Sequence, residues 1–198
     1  MNDGAQKGDV VNISWGTEWH PNPLSDQRKL ERELVKLAKR GVKIAVAAGN
    51  NDVLQGSGYV QTVSPARAGA YRHSSGGAIV TVSAAHSQED QNTGEWSDVF
   101  WPHSVFGNGE MDSSGNFYLG PPDFAEPGVD ILSLWPGSGG GGGMVNTCTG
   151  TSFATAHMSG ILVQGMPERD GAAADDPSAK DPETGQYDPN RLDPIGVH

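Results

Sequence analysis

Residues 149–160 read TGTSFATAHMSG, a run of small residues around one serine, Ser152, at the point where a helix begins. A serine hydroxyl becomes a nucleophile when a base takes its proton and donors hold the oxyanion that forms. The start of a helix supplies part of this, because its free N–H groups and dipole favour negative charge. Ser152 then has its own N–H as one donor. Asn50 is a second candidate donor, at the end of the apolar run VKIAVAAGN (42–50). In an open α/β sheet, chemistry gathers at the carboxyl ends of the strands. Three segments end there: Ser14-Trp15-Gly16, Ala47-Ala48-Gly49-Asn50, and the loop into Ser152. Ser152 and Asn50 together make half of an acyl-transfer site, with the base still to be found.

The elements that must position these residues follow from hydrophobic patterning. DVVNISWG (9–16) is a β-branched apolar run ending in Gly, which predicts a buried strand. SDQRKLERELVKLAKRG (25–41) predicts a helix. Ser25 caps it, Asp26 sits in the first turn, Leu30, Leu34, Leu37 and Ala38 form one apolar face, and Gly41 stops it. The run 42–50 is the next strand, so the two strands are expected as parallel neighbours in a βαβ unit. Residues 77–85 and 129–134 predict two further strands. Residues 151–164 predict a second helix, mostly small and apolar and therefore buried. Gly139–Gly143 reads as a flexible connector. It lacks the Lys and Ser/Thr of a phosphate loop.

Composition bounds the function. The 198 residues suffice for one domain with a sizeable core. With 28 glycines and 35% hydrophobic residues, a loop-rich α/β chain is expected. The net charge of −11, from 24 acidic and 13 basic residues, disfavours nucleic acid and anionic membranes as partners and fits a salt-adapted protein. One cysteine, Cys148, excludes an intramolecular disulfide and a cysteine zinc cluster, and reads as a buried small residue. No apolar run approaches membrane-spanning length, and no secretory signal opens the sequence as given. Residues 167–198 turn acidic and Pro-rich. Their carboxylates lack the spacing of a calcium loop, and a loosely ordered extension is expected after a first unit spanning 1–166.

Five blocks together resemble the subtilisin-like serine peptidases. GTSFATAHMSG looks like their nucleophile motif, VNISWG like their substrate strand, and VAAGNND like the strand ending at their oxyanion Asn. SPARAGAY…GAIVTVSAA and DFAEPGVDILS resemble two further family stretches, all in family order. The resemblance implies an α/β, three-layer subtilisin-like fold with a mostly parallel sheet. It implies Ser152 as nucleophile and Asn50 as oxyanion donor. It also implies Ser14, Trp15 and Gly16 as the strand that pairs with an extended polypeptide substrate, and Ala47, Ala48 and Gly49 as a pocket wall. No metal ligand and no cofactor is assigned; the resemblance leaves calcium possible, since it is common in the family. Members are often extracellular.

The family's Asp and His blocks (Asp-Thr/Ser-Gly and His-Gly-Thr-His) precede the substrate strand. Here eight residues precede Asp9, and the first histidine is His20. The expectation is therefore the C-terminal part of a catalytic domain, its front part missing. It would need a partner fragment carrying Asp and His, and would otherwise act as an inactive peptide-binding remnant. His157, five residues past Ser152, belongs to the motif but is turned away from the serine. His20 is the least implausible substitute base. Three residues depart from the family pattern: Trp15 in place of Leu, Glu126 in place of Ala, and Ala156 in place of Pro.

Overall fold

The computed structural model describes residues 4–19, 26–51, 59–107, 122–135, 144–169, 171, 173–174 and 196–197. In chain order the elements are β1 (Val10–Ile13), β2 (Thr17–Glu18), α1 (Asp26–Lys39), β3 (Lys43–Ala47), β4 (Val63–Ser64) and β5 (Tyr71–Arg72). These are followed by β6 (Ala78–Glu89), β7 (Trp96–Phe100), β8 (Phe124–Pro127), β9 (Ile131–Trp135), β10 (Met144–Cys148) and α2 (Thr151–Gln164). The last pair is β11 (Glu168–Arg169) and β12 (Gly196–Val197).

The expected βαβ unit is present: β1 and β3 pair in parallel, Val10 opposite Lys43 through Ile13 opposite Val46, with α1 between them in sequence. β3 then pairs in parallel with β6, and β6 in parallel with β8. The antiparallel β5 and β7 complete a six-stranded, mostly parallel sheet. Its strands are apolar on both faces, as a sheet covered on both sides requires. Ile44, Val46 and Ile79 point to one face and pack against Leu34, Leu37 and Ala38 of α1. Ala45, Val80, Val82 and Ala84 point to the other and pack against Ala154, Met158 and Leu162 of α2. The result is three layers: helix, sheet, helix. Each fully buried Leu, Ile or Met in these two cores contributes about 1.5–3 kcal/mol relative to an exposed one.

Local chemistry fixes both helices. α1 has Asp26 in its first turn and Lys36 and Lys39 in its last, each matching the helix dipole. It stops at Gly41, whose φ of +94° suits glycine. The expected cap, Ser25, lies outside the described residues, as does the 139–143 glycine run. The C-terminal carbonyls of α2 receive the ammonium of Lys43, which donates from β3 to Leu162 O and to Gly165 O.

Several expectations change. α2 spans 151–164 as predicted, but it is buried along one face only. Thr151, Ala154, Thr155, Met158 and Leu162 are covered, whereas Ala156, His157 and Gly160 are exposed. Its small residues allow close packing and do not require enclosure. The strand expected at 129–134 is β9, and it stands apart from the main sheet. It forms a hairpin with β10 that leaves Leu132, Leu134 and Val145 exposed. Cys148, on β10, is only partly covered, because the hairpin has little packed over it.

Candidate active site

β1 and β3 end side by side, and the N-terminus of α2 meets both ends. Gly150 precedes the helix with φ +153°, and its N–H donates to Gly128 O at 2.8 Å. A Cβ at Gly150 would lie 3.0 Å from the Asn50 amide nitrogen, so glycine is what lets the loop approach that side chain.

Asn50 is oriented by its neighbour. Its Oδ1 accepts the Thr151 N–H at 3.1 Å and the Thr151 hydroxyl at 2.9 Å. A backbone N–H can only donate, so the atom facing it is the amide oxygen. Nδ2 is thereby left facing the Gly150 side. Thr151 Oγ1 also accepts the Gly49 N–H at 3.2 Å, which ties the strand end to the helix start. Sequence reasoning missed Thr151. The signal for it was the residue before the serine in the GTS triplet.

Ser152 and Ser14 bridge the two elements in both directions. Ser152 Oγ donates to Ser14 O at 3.1 Å, and Ser14 Oγ donates to Ser152 O at 2.9 Å. Asn12 Nδ2 donates to Ser14 Oγ, and Asn12 Oδ1 accepts from Ser159 Oγ, extending this polar seam along α2. The cleft above it, of about 190 Å³, is lined by Ser14, Trp15, Gly16, Ala47, Gly49, Asn50, Thr151 and Ser152. Seven of the eight residues singled out from the sequence thus meet in one cleft. Ala48 does not line it. It is fully buried against the α1 side, and its N–H donates to Val82 O.

No histidine or carboxylate is among these lining residues. His157 Nδ1 pairs with Pro127 O at 2.8 Å, and His73 pairs with Ser75. His86 is half-buried on β6, and His103 is exposed. His20, the substitute base considered from the sequence, lies outside the described residues. The Ser152 hydroxyl is thus bonded to a carbonyl, which accepts a hydrogen bond but takes no proton at neutral pH. Among the described residues no three His, Cys, Asp or Glu side chains converge to hold a metal.

Two buried carboxylates lie outside the cleft. Asp123, just before β8, accepts from Thr81 N, Ala70 N and Arg72. Burial pushes its carboxyl up, and the Arg72 guanidinium and the two N–H groups pull it back. Glu126, in the middle of β8, is 2% exposed. Burial raises its carboxyl to about 8; the Gly196 N–H that donates to it at 3.0 Å opposes the rise, and Asp98 adds to it.

A helix–sheet–helix sandwich with a serine at the helix N-terminus, facing the carboxyl ends of parallel strands, defines a subtilisin-like fold. Residues 2–176 match the profile of the Subtilase family, and the chain belongs to that family. Alkaline protease 2 of Aspergillus fumigatus is similar, with 29% identity over 177 residues, covering 86% of this chain and 26% of that protein. The chain therefore spans about a quarter of the length of the curated relatives it matches. Among solved structures, a psychrophilic protease superposes with a TM-score of 0.50 at 19% identity, covering 78% of this chain and 41% of that one, which supports the fold. Sphericase is also similar, with a TM-score of 0.49 at 20% identity, covering 78% and 41%.

Proposed function

We propose that this chain carries the nucleophile half of a serine endopeptidase acting on extended polypeptide through an acyl-enzyme. Ser152 is the nucleophile. Asn50, set by Thr151, donates to the oxyanion with the Ser152 N–H. The stretch Ser14–Gly16, between β1 and β2, pairs with substrate backbone as an added strand, and Trp15 and Ala47 flank the side-chain pocket. The base and its orienting carboxylate come from a segment outside the described cleft.

The observation that carries this reading is the pairing of an oriented Asn50 amide with a Ser152 hydroxyl that, among the described residues, is bonded only to Ser14 O. In subtilisin itself, loss of the histidine alone costs roughly a million-fold in turnover, so this chain by itself is close to inert. The test is intact mass after treatment with a fluorophosphonate serine probe. The folded chain alone gives no adduct. With a separately produced segment bearing the Asp-Thr/Ser-Gly and His-Gly-Thr-His blocks, one adduct maps to Ser152. An adduct on the chain alone refutes the need for an outside base. No adduct in either case refutes the peptidase reading.

A second reading, a peptide-binding remnant, is favoured by the absence of a base among the residues lining an otherwise formed cleft. It expects extended peptide to bind without labelling of Ser152 under any of these conditions.

A further inference from the structure

Away from the cleft, α1 carries a basic stripe that the proposed activity does not use. Six of the chain's 13 lysines and arginines fall between positions 28 and 40, in a protein of net charge −11. Arg28, Arg32, Lys36 and Lys39 follow one another at helical spacing and, with Arg67 opposite, line a surface groove of about 550 Å³. Val35 and Ala68, both half-buried, give the groove an apolar floor. Glu31 is the one acidic residue in its lining. It is already engaged, accepting the Ser64 hydroxyl at 2.7 Å and lying 3.8 Å from Arg67. Lys36 pairs with Glu33, whereas Arg32 and Lys39 have no ion pair among the described residues. Arg67 is held in place by stacking on Trp19, 3.9 Å from the ring centroid.

The spacing selects an occupant. From Arg28 to Lys39 the helix rises about 16 Å, and one i, i+4 step is about 6 Å. An extended peptide advances about 6.7 Å every two residues, so carboxylates at alternate positions fall close to successive basic side chains over roughly six or seven residues. The peptide's intervening residues then turn to the opposite wall, which Ala68 lines. We propose that this groove is a docking surface for a short acidic stretch of polypeptide in extended conformation. A polypeptide fits better than a long polyanion, because the negative field of the whole chain repels the latter along its length. The inference concerns binding alone and stands independently of Ser152.

The test is fluorescence anisotropy of labelled Glu-Ala-Glu-Ala-Glu-Ala-Glu with the full chain. The Gln-for-Glu peptide and an oligothymidylate of equal charge serve as comparison probes. The acidic peptide binds at low salt, the Gln peptide does not, and binding weakens more than about tenfold at ~0.5 M NaCl. The R32E/K39E variant, whose exposed sites leave the circular dichroism spectrum unchanged, weakens it by about tenfold or more, and R32Q/K39Q by less. No binding at low salt, or binding indifferent to the charge reversal, overturns the proposal. Tighter binding of the oligothymidylate than of the peptide overturns the choice of a polypeptide partner.

Discussion

At the scale of single residues, the candidate site depends on an amide that faces the right way. Thr151 is buried and sits between Gly49 N–H and Asn50 Oδ1, accepting from one and donating to the other. Thr151→Val keeps the shape and removes both bonds, leaving the Gly49 N–H without its acceptor. The expected cost is about 1–3 kcal/mol, read from the midpoint of guanidinium unfolding. An unchanged midpoint would mean that the two bonds contribute nothing net. If the chain acts as proposed, with a base supplied from elsewhere, the same variant, and more so Asn50→Ala, lowers turnover with little effect on KM. The scale is the one known for removing an oxyanion donor in subtilisin itself, about 10²–10³. The meeting of Ser152 and Asn50 was legible in the sequence, because a helix start and an apolar strand end come together at the carboxyl edge of a parallel sheet. Thr151 was not, because its task is to orient a neighbour, and spacing does not encode which way an amide faces. Strand alternation does separate Ala48, which turns into the core, from Ala47 and Gly49, which border the cleft; it was the resemblance that grouped all three as a pocket wall.

At the scale of elements, periodicity located whatever was long and apolar. α1, α2, β1, β3 and β6 were expected near their observed bounds. β8 was missed because it holds Glu126 and Pro127, both poor strand residues, and its burial comes from contacts distant in sequence. β7 and β10 carry mixed, exposed patterns that gain order only from their partners. Close approach is equally hidden: a Cβ on Gly77 would lie 1.9 Å from Ala38 O, where α1 meets the start of β6. Gly77→Ala is therefore expected to cost at least about 3 kcal/mol, beyond ordinary overpacking, since it meets backbone. Gly76→Ala, in open space at φ +92°, costs about 1 kcal/mol. Thermal melts of the two variants make the comparison, and equal losses would refute the clash. Glu126 gives β8 a pH dependence. Its carboxyl is raised from 4.5 to about 8, so the folded chain holds that proton more tightly than the unfolded one. Its favourable contribution is complete below about pH 4.5 and is lost as pH rises through about 8, by a few kcal/mol at most. Glu126→Gln removes this slope and leaves an acceptor for Gly196 N–H. The variant should melt higher than the parent at pH 8–9, with the gap closing towards pH 5. Parallel melting curves across that range would refute the assignment.

At the scale of the whole molecule, an open sheet edge and a large net charge oppose each other. Among the described residues β1 pairs only with β3, so its outer backbone groups, with half-buried Val11 and Ile13, are available to another strand. An edge of this kind favours association of copies. The charge of −11 disfavours it, because bringing two such chains together doubles the like charge in one place. The same repulsion acts within one chain and weakens the folded state. Salt screens both effects: at ~1 M ionic strength the Debye length falls to about 3 Å, shorter than the spacing between most surface charges. Two changes should therefore appear together as NaCl rises from low concentration to ~1 M. The melting temperature increases, and sedimentation shifts from monomer towards dimer and larger species in proportion to protein concentration. A segment that pairs with β1 should suppress the association while leaving the rise in melting temperature, because it covers the edge without changing most of the acidic surface. Association that persists with β1 paired would locate the sticky surface elsewhere, on the β9–β10 hairpin with its exposed Leu132, Leu134 and Val145. A melting temperature that falls with salt would show that ion pairs such as Arg72–Asp123 outweigh the repulsion among the remaining carboxylates.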